Sequence, residues 1–458
     1  MYFRCSMKKW IVVLTCLLAI YAVPATAQRR YTLSGYVKDS LTGENLIGAS
    51  VSVDGKAALS TNSYGFYSLT LPEGNYEISI SFTGYQLLHF SVALVSNING
   101  NRLLAPRIAA NEEVIVYAKR KDANVRNAQM GKIDLSMSQV KSLPVLMGEV
   151  DILKALQLLP GVRNAGEGNA GFYVRGGGPD QNLIMLDDAV VYNSGHLFGF
   201  FSVFNSDAIK NVSLIKGGMP AQYGGRLSSV LDVAMKDGNM KKMEVDGGIG
   251  LIASRLSIQG PIKKDKASFM ISARRTYIDA LVKPFVPSSS AFHGSGYYFY
   301  DLNTKVNYKF SDKDRLYLSG YFGRDVFDFN NTQRSFKANI PWGNATATIR
   351  WNHLFHPKLF ANTTLVFNNY NFAFNAVQNS LAFGVSSGIR DLTAKYDLDY
   401  YPAAAHKMKA GVSFTNHVFK PNLVSGRSDS TDFTPDNAQK KYANELAAYL
   451  QDDWEVSD

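Results

Sequence analysis

The chain has 458 residues, enough for about three domains of ordinary size, and is 46% hydrophobic and 19% charged. That balance excludes a disordered tail and a polytopic helical membrane protein. Both cysteines, Cys5 and Cys16, fall in the first sixteen residues. A chain processed after them has no disulfide, thiolate metal site or cysteine nucleophile.

Arg4, Lys8 and Lys9 precede a fourteen-residue apolar run, 10–23, and Ala25-Thr26-Ala27 supplies small residues for cleavage. This pattern predicts a secretory signal peptide over 1–27 with a mature N-terminus at Gln28. The run is shorter than the ~20 residues a bilayer-spanning helix needs. Removing it takes away three cations and no anions, so the net charge falls from +10 to +7. Such an excess suits a solvated surface or anionic lipid head groups. No later stretch of 18 residues is uninterruptedly apolar, so no transmembrane helix is expected in the mature chain. A closed β-barrel stays open as a way to span a membrane, because it too satisfies its backbone hydrogen bonds internally.

Residues 28–110 are expected to form a small β-sandwich. Tyr76, Ile78, Ile80 and Phe82 alternate with Glu77, Ser79 and Ser81, and Ala49, Val51 and Val53 alternate likewise. Turn clusters at 41–44, 54–55, 63–65 and 73–75 separate these runs. The blocks 35–44, 46–51 (Leu-Ile-Gly-Ala-Ser-Val), 61–67 (Thr-Asn-Ser-Tyr-Gly-Phe-Tyr) and 74–76 resemble the carboxypeptidase-regulatory-like domain. The resemblance implies a transthyretin-like, non-catalytic module. In 111–121, Glu112 and Glu113 precede the β-prone Val114, Ile115 and Val116, and Lys119-Arg120-Lys121 follows. Two readings stand: a strand offered to a foreign sheet edge, or a last sandwich strand with a charged linker.

Residues 122–238 change character. Val150, Leu153, Leu156 and Leu159 recur at three-residue spacing and predict a short helix that stops at Pro160-Gly161. Four blocks follow: Phe172-Tyr-Val-Arg-Gly-Gly-Gly178, Asn182-Leu-Ile-Met-Leu-Asp-Asp188, 209–217, and Ala221-Gln-Tyr-Gly-Gly-Arg-Leu-Ser-Ser-Val-Leu-Asp-Val233. In this order they resemble the plug domain of TonB-dependent outer-membrane receptors, with Arg175, Gly176, Gly177, Asp187, Asp188, Tyr223, Gly224 and Gly225 carrying the motifs. The sandwich and the 112–118 run, which resembles a TonB box, stand where Bacteroidetes-type members carry them. The resemblance then implies that Glu112, Glu113, Val114, Ile115 and Val116 contact TonB.

From 239 to 458 the alternation is that of barrel strands, each predicted at roughly 9–14 residues. Leu302, Thr304, Val306, Tyr308 and Phe310 face one way and Asp301, Asn303, Lys305, Asn307 and Lys309 the other. Ala345, Ala347, Ile349 and Trp351 oppose Thr346, Thr348, Arg350 and Asn352, and Leu392, Ala394, Tyr396, Leu398 and Tyr400 oppose Thr393, Lys395, Asp397 and Asp399. Tight turns near 262–266, 311–313, 356–357 and 402–404 take turns with long polar stretches near 278–298, 325–343, 373–388 and 420–441, read as loops. Phe310, Phe355, Tyr400 and Tyr401 are placed at an aromatic girdle. The fold class expected is therefore mainly β: a transthyretin-like sandwich, an α/β plug, and a partial antiparallel transmembrane barrel of about ten of 22 strands. A plug of this size needs the larger barrel, so the chain reads as the N-terminal part of a longer receptor or as a prematurely ended one.

Enzymatic signatures fare poorly. Gly384-Val-Ser-Ser-Gly388 lacks the strand-to-helix context of a nucleophile elbow. Gly248-Ile-Gly250 lacks a following helix for dinucleotide binding. His353 and His356 have no carboxylate nearby in sequence to complete a metal site. The basic clusters lack the interleaved aromatic residues of a nucleic-acid platform. No enzyme, cofactor, metal or nucleic-acid partner is expected. The resemblance implies energised uptake of a nutrient too large for porins, such as a siderophore, oligosaccharide or peptide. TonB and outer-membrane lipid are the partners and the outer membrane is the location, with the N-terminal domain in the periplasm. A SusC-type importer would carry an arginine- and asparagine-rich plug block. Here that block is Tyr173-Val-Arg-Gly-Gly-Gly-Pro-Asp180, which counts against a SusD-like lipoprotein partner. The rival reading is an exported adhesive β-protein that binds at the surface and transports nothing.

Overall fold

The computed structural model describes residues 29–107, 131–143, 149–166, 171–428, 431–433 and 440–456. The signal segment and the 111–121 run lie outside the described residues.

Two four-stranded sheets make the N-terminal sandwich. One holds Phe66–Pro72, Arg30–Asp39, Ile98–Asn99 and Arg102–Leu104; the other holds Lys56–Ser60, Ser50–Val53, Gly74–Ser81 and Leu88–Leu94. The period-two pattern sends Val51, Ile78 and Ile80 into a closed core with Leu33, Val37 and Leu69 and leaves Glu77 in water.

The plug is a five-stranded mixed sheet in the order Ala189–Val190, Asn182–Leu186, Ser229–Met235, Ile209–Ile215, Lys132–Ser136. Asn182–Leu186 runs parallel to Ser229–Met235 and the other pairs are antiparallel. The expected helix forms over Ile152–Gln157. Its N-cap Asp151 accepts the Lys154 N–H at 3.1 Å through one carboxylate oxygen and the Ser202 N–H at 2.8 Å through the other. Ile152, Leu153, Ala155 and Leu156 pack onto Val212, Leu214 and Val233.

The remaining strands form one antiparallel sheet, the wall: Glu244–Ile249, Ala253–Lys263, Ala267–Thr276, Gly296–Lys309, Asp314–Asn331, Phe336–His356, Leu359–Gln378, Leu381–Ala403 and His406–Ser428. Thr431–Phe433 and Lys441–Trp454 then pair with the same edge of His406–Ser428, so the wall is ten strands wide. Plug residues bond to it from Arg255 on its second strand to Gln451 on its last, which requires the sheet to curve around the plug. No helix among the described residues is long and apolar enough to cross a membrane, which says nothing of a barrel.

The two faces divide as the alternation requires. Leu302, Ile349, Trp351 and Leu392 are exposed on the outside, whereas Asp301, Asn303, Lys305 and Asn307 are buried inside. The tight ends are where turns were expected, with Lys263 paired to Ala267, Lys309 to Arg315, His356 to Leu359 and Ala403 to His406.

The opposite ends correct the loop reading. The stretches 325–343 and 373–388 are strand apart from their turns at 332–335 and 379–380: Asp314–Asn331 and Phe336–His356 stay paired out to Asn331 and Phe336, and Gln378 pairs with Leu381 across Asn379-Ser380. The five strands from Asp314 to Ser428 run 18 to 23 residues. These are longer than the roughly 9–11 residues that a bilayer-crossing strand needs, and the apolar alternation weakens towards their long ends. Tyr401 is a second correction. Phe310, Phe355 and Tyr400 are exposed, but Tyr401 is 4% exposed and faces inward against the sandwich.

Candidate functional site

The inward face of the wall meets the plug through buried charge as well as through apolar packing around Phe201 and Met270. Leu186 pairs with Ala189 across a two-residue loop, Asp187-Asp188. Both loop residues are left-handed, at φ 46° and 70°, the conformation of the hairpin turn that aspartate tolerates better than most side chains. The turn aims both carboxylates at the wall. Lys305 Nζ lies 2.9 Å from Asp187 and 3.0 Å from Asp237, both nearly dry, and Arg350 pairs with Asp188. Asp187 also accepts the Met235 N–H at 3.0 Å, and its carbonyl accepts from Thr348 Oγ1 at 3.0 Å. Burial alone would raise the Asp188 carboxyl, but Arg350 and Lys395 hold it below the usual carboxylate range.

A second cluster centres on His196. Its Nε2 is 2.8 Å from Asp301 and its Nδ1 is 2.7 Å from Asp325, and the ring stacks on Phe299 with centroids 3.9 Å apart. Serving two carboxylates requires both ring N–H groups, so His196 is an imidazolium. Burial would depress its pKa, but Asp301 and Asp325 push it up to about 9. Asp301 is further bound by Arg274 at 2.6 and 2.8 Å and by the Tyr321 hydroxyl at 3.0 Å. Arg274 also reaches Glu149 of the plug at 3.4 Å. With its charges paired and hydrogen-bonded, the cluster escapes the large penalty of an isolated buried ion.

The other sequence-derived residues lie elsewhere. Arg175 and Gly176 form an exposed reversal in which Val174 and Gly177 exchange backbone hydrogen bonds at 2.9 and 3.2 Å. Tyr223 packs beside Met185, Ile215 and Val230 and donates to Asp232 at 3.2 Å. Burial, then the Asp188 charge, push Asp232 up to about 6. Gly224 and Gly225 are exposed on the following loop. Glu112, Glu113, Val114, Ile115 and Val116 lie outside the described residues. His353 does have a carboxylate neighbour, Asp314 at 2.6 Å, brought in by strand pairing. Among the described residues no three His, Cys, Asp or Glu side chains converge as a metal site. Asp301, Lys305 and Arg350 were placed on the polar face of predicted strands without a site role, and His196, Asp325 and Arg274 were not singled out from sequence. The available signal was a charge on the inward side of an alternating strand.

Residues 33–116 match the family of the CarboxypepD_reg-like domain, and 141–229 match the TonB-dependent Receptor Plug Domain. No curated protein matches the sequence. Among solved structures, FpvA of P. aeruginosa bound to heterologous pyoverdines has a TM-score of 0.53 at 13% identity, over 73% of this chain and 50% of that one. The copper transporter OprC has 0.52 at 12% identity, over 71% and 52%. A mutant of the ferric enterobactin receptor PfeA of Pseudomonas aeruginosa has 0.51 at 14% identity, over 71% and 55%. At such identities the likeness is one of fold. The architecture is that of TonB-dependent receptors, and this chain carries their plug domain behind a carboxypeptidase-regulatory-like module. It spans about half the length of the structures it matches.

Proposed function

We propose that the protein works in the outer membrane as a TonB-dependent receptor for energised uptake of a nutrient too large for porins. The observation that carries this reading is a plug seated in a curved sheet by ion pairs on the sheet's polar face, while the other face is apolar. An interface of paired charges can be rewetted when the plug shifts, whereas an apolar one would expose surface at about 25 cal/mol per Å². The matched solved proteins include a ferric enterobactin receptor, FpvA bound to pyoverdines and a copper transporter. For this chain the nutrient is left as a class, with siderophore, oligosaccharide and peptide all open. The domain limits proposed are 28–110 for the sandwich, 111–121 for the TonB-contact segment and linker, 122–238 for the plug and 239–458 for the wall. The sandwich contacts the tight-turn rim of the wall, in keeping with a periplasmic N-terminal domain and long hairpins outside.

Glu112, Glu113, Val114, Ile115 and Val116 are assigned to TonB, through strand addition in which backbone groups provide affinity. Val116→Pro removes a backbone donor from that strand. The test is binding of the purified periplasmic domain of TonB to the detergent-extracted receptor. Binding should be lost in the variant at equal receptor level; undiminished binding would return 111–121 to the linker reading.

A further inference from the structure

The sandwich does not hang free. Its turn at 61–66 enters a socket on the tight-turn rim of the wall, where Phe66 is fully buried against Phe360, Leu354 and Tyr401. Phe66 and Tyr64 both stack on Phe360, with centroids 5.4 and 5.3 Å apart, and Asn62 donates to Asp399 at 2.9 Å. Phe66 belongs to this socket rather than to the sandwich core, which is filled by its neighbour Tyr67.

A second contact lies on the chain that leaves the plug for the wall. Glu44 accepts the Asp237 N–H, the Thr42 carbonyl accepts the Met240 N–H at 2.8 Å, and the Ser40 carbonyl accepts from Lys241 Nζ. Both contacts reach the groups that seat the plug. Asp237 shares Lys305 with Asp187. Arg350, the partner of Asp188, lies 5.3 Å from the Tyr64 ring centre.

We propose that the sandwich is an intramolecular latch: docked on the rim, it holds the Asp187-Asp188 hairpin and the 236–241 linker in place, and undocking loosens the plug. The physical basis is sharing. Lys305 and Arg350 each serve the plug directly and touch the docked module directly or through one residue, so ordering one side lowers the cost of ordering the other. The latch as a step in uptake rests on the receptor reading; the coupling itself does not.

The experiment follows hydrogen exchange in outer-membrane vesicles without TonB or nutrient, in the parent and in Phe66→Ala. Loss of the stacked ring should expose 61–66, and exchange in 182–190 and 229–237 should rise about tenfold or more. The double variant Ser40→Cys with Lys241→Cys, placed in the Phe66→Ala background, supplies a tether. The mature chain expected from Gln28 has no other thiols, so a short bis-maleimide joins this pair alone. Tethering should return plug exchange to the parent rate, which a merely misfolded sandwich would not do. Undocked 61–66 with unchanged plug exchange would overturn the latch, and so would fast plug exchange that the tether fails to slow. Absence of energised uptake in a receptor that shows the coupling would count against the transport reading alone.

Discussion

Lys305→Met tests whether the plug is held by charge. The substitution keeps the side chain's reach and removes the ammonium. Asp237 retains Lys210 at 3.1 Å, but Asp187 is left with the Met235 N–H. Lys305 and Asp187 side chains are each 3% exposed, so water reaches them poorly. Breaking a buried pair in this way costs about 3–5 kcal/mol. Adding Asp187→Asn removes the stranded charge, keeps the acceptor for Met235 and tolerates the left-handed φ. The double variant should recover about 1–3 kcal/mol. Trp342 is buried in the cluster that joins plug residue Phe201 to the wall, so its emission in a urea series reports release of the plug. At an m-value of about 2 kcal/mol/M the midpoint should fall by roughly 1.5–2.5 M in the single variant. A midpoint within about 0.3 M of the parent, or a double variant no better than the single, would refute the reasoning.

The His196 cluster gives a pH dependence with a defined sign. Its folded pKa of about 9 lies above the ordinary 6.5, so its stabilisation is complete below about 6.5 and is lost as pH rises through 9. The urea midpoint measured at pH 6, 8 and 10 should drop more steeply in the parent than in His196→Gln, and parallel profiles would remove His196 from the account. Gly238 sits at φ 87° in the linker, and a Cβ there would lie 2.3 Å from the Phe269 carbonyl oxygen. Gly238→Ala should therefore lose at least the ~1–2 kcal/mol of left-handed strain, read as a lower Tm of plug release; an unchanged Tm would show that the linker is free to move.

The sequence was most informative where one physical pressure acts alone. The run from Asp301 to Phe310 separates cleanly because an exposed apolar face on one side and the plug on the other act on alternate residues. At 325–343 and 373–388 the alternation is weaker, because polar residues such as Asn330, Asn331 and Asn375 stand among the apolar ones, and there the strands could not be told from loops. The plug's turn at Asp187-Asp188 was legible as a motif, but its partners Lys305 and Arg350 lie more than a hundred positions away and are joined only by folding. The sandwich socket was hidden for another reason. Tyr64, Phe66 and Tyr67 crowd one turn, more aromatic surface than a single core absorbs, and nothing local says that the surplus meets Phe360.

The order of the anchored bodies has a mechanical consequence. Residues 108–130 join a sandwich fixed to the rim at Phe66 to a plug fixed to the wall at Asp187 and Asp188. On the proposed TonB contact, a pull applied at 112–116 therefore has a tethered body on each side, and the two carry the load in parallel. An N-terminal module without contacts would carry none, and all the tension would fall on the plug. Here the pull divides until the weaker mooring yields, after which the survivor takes the whole force at once. The sequence of rupture, and so the threshold at which the plug is released, is set by how the work of stripping one aromatic turn from its socket compares with that of parting two carboxylates from their cations.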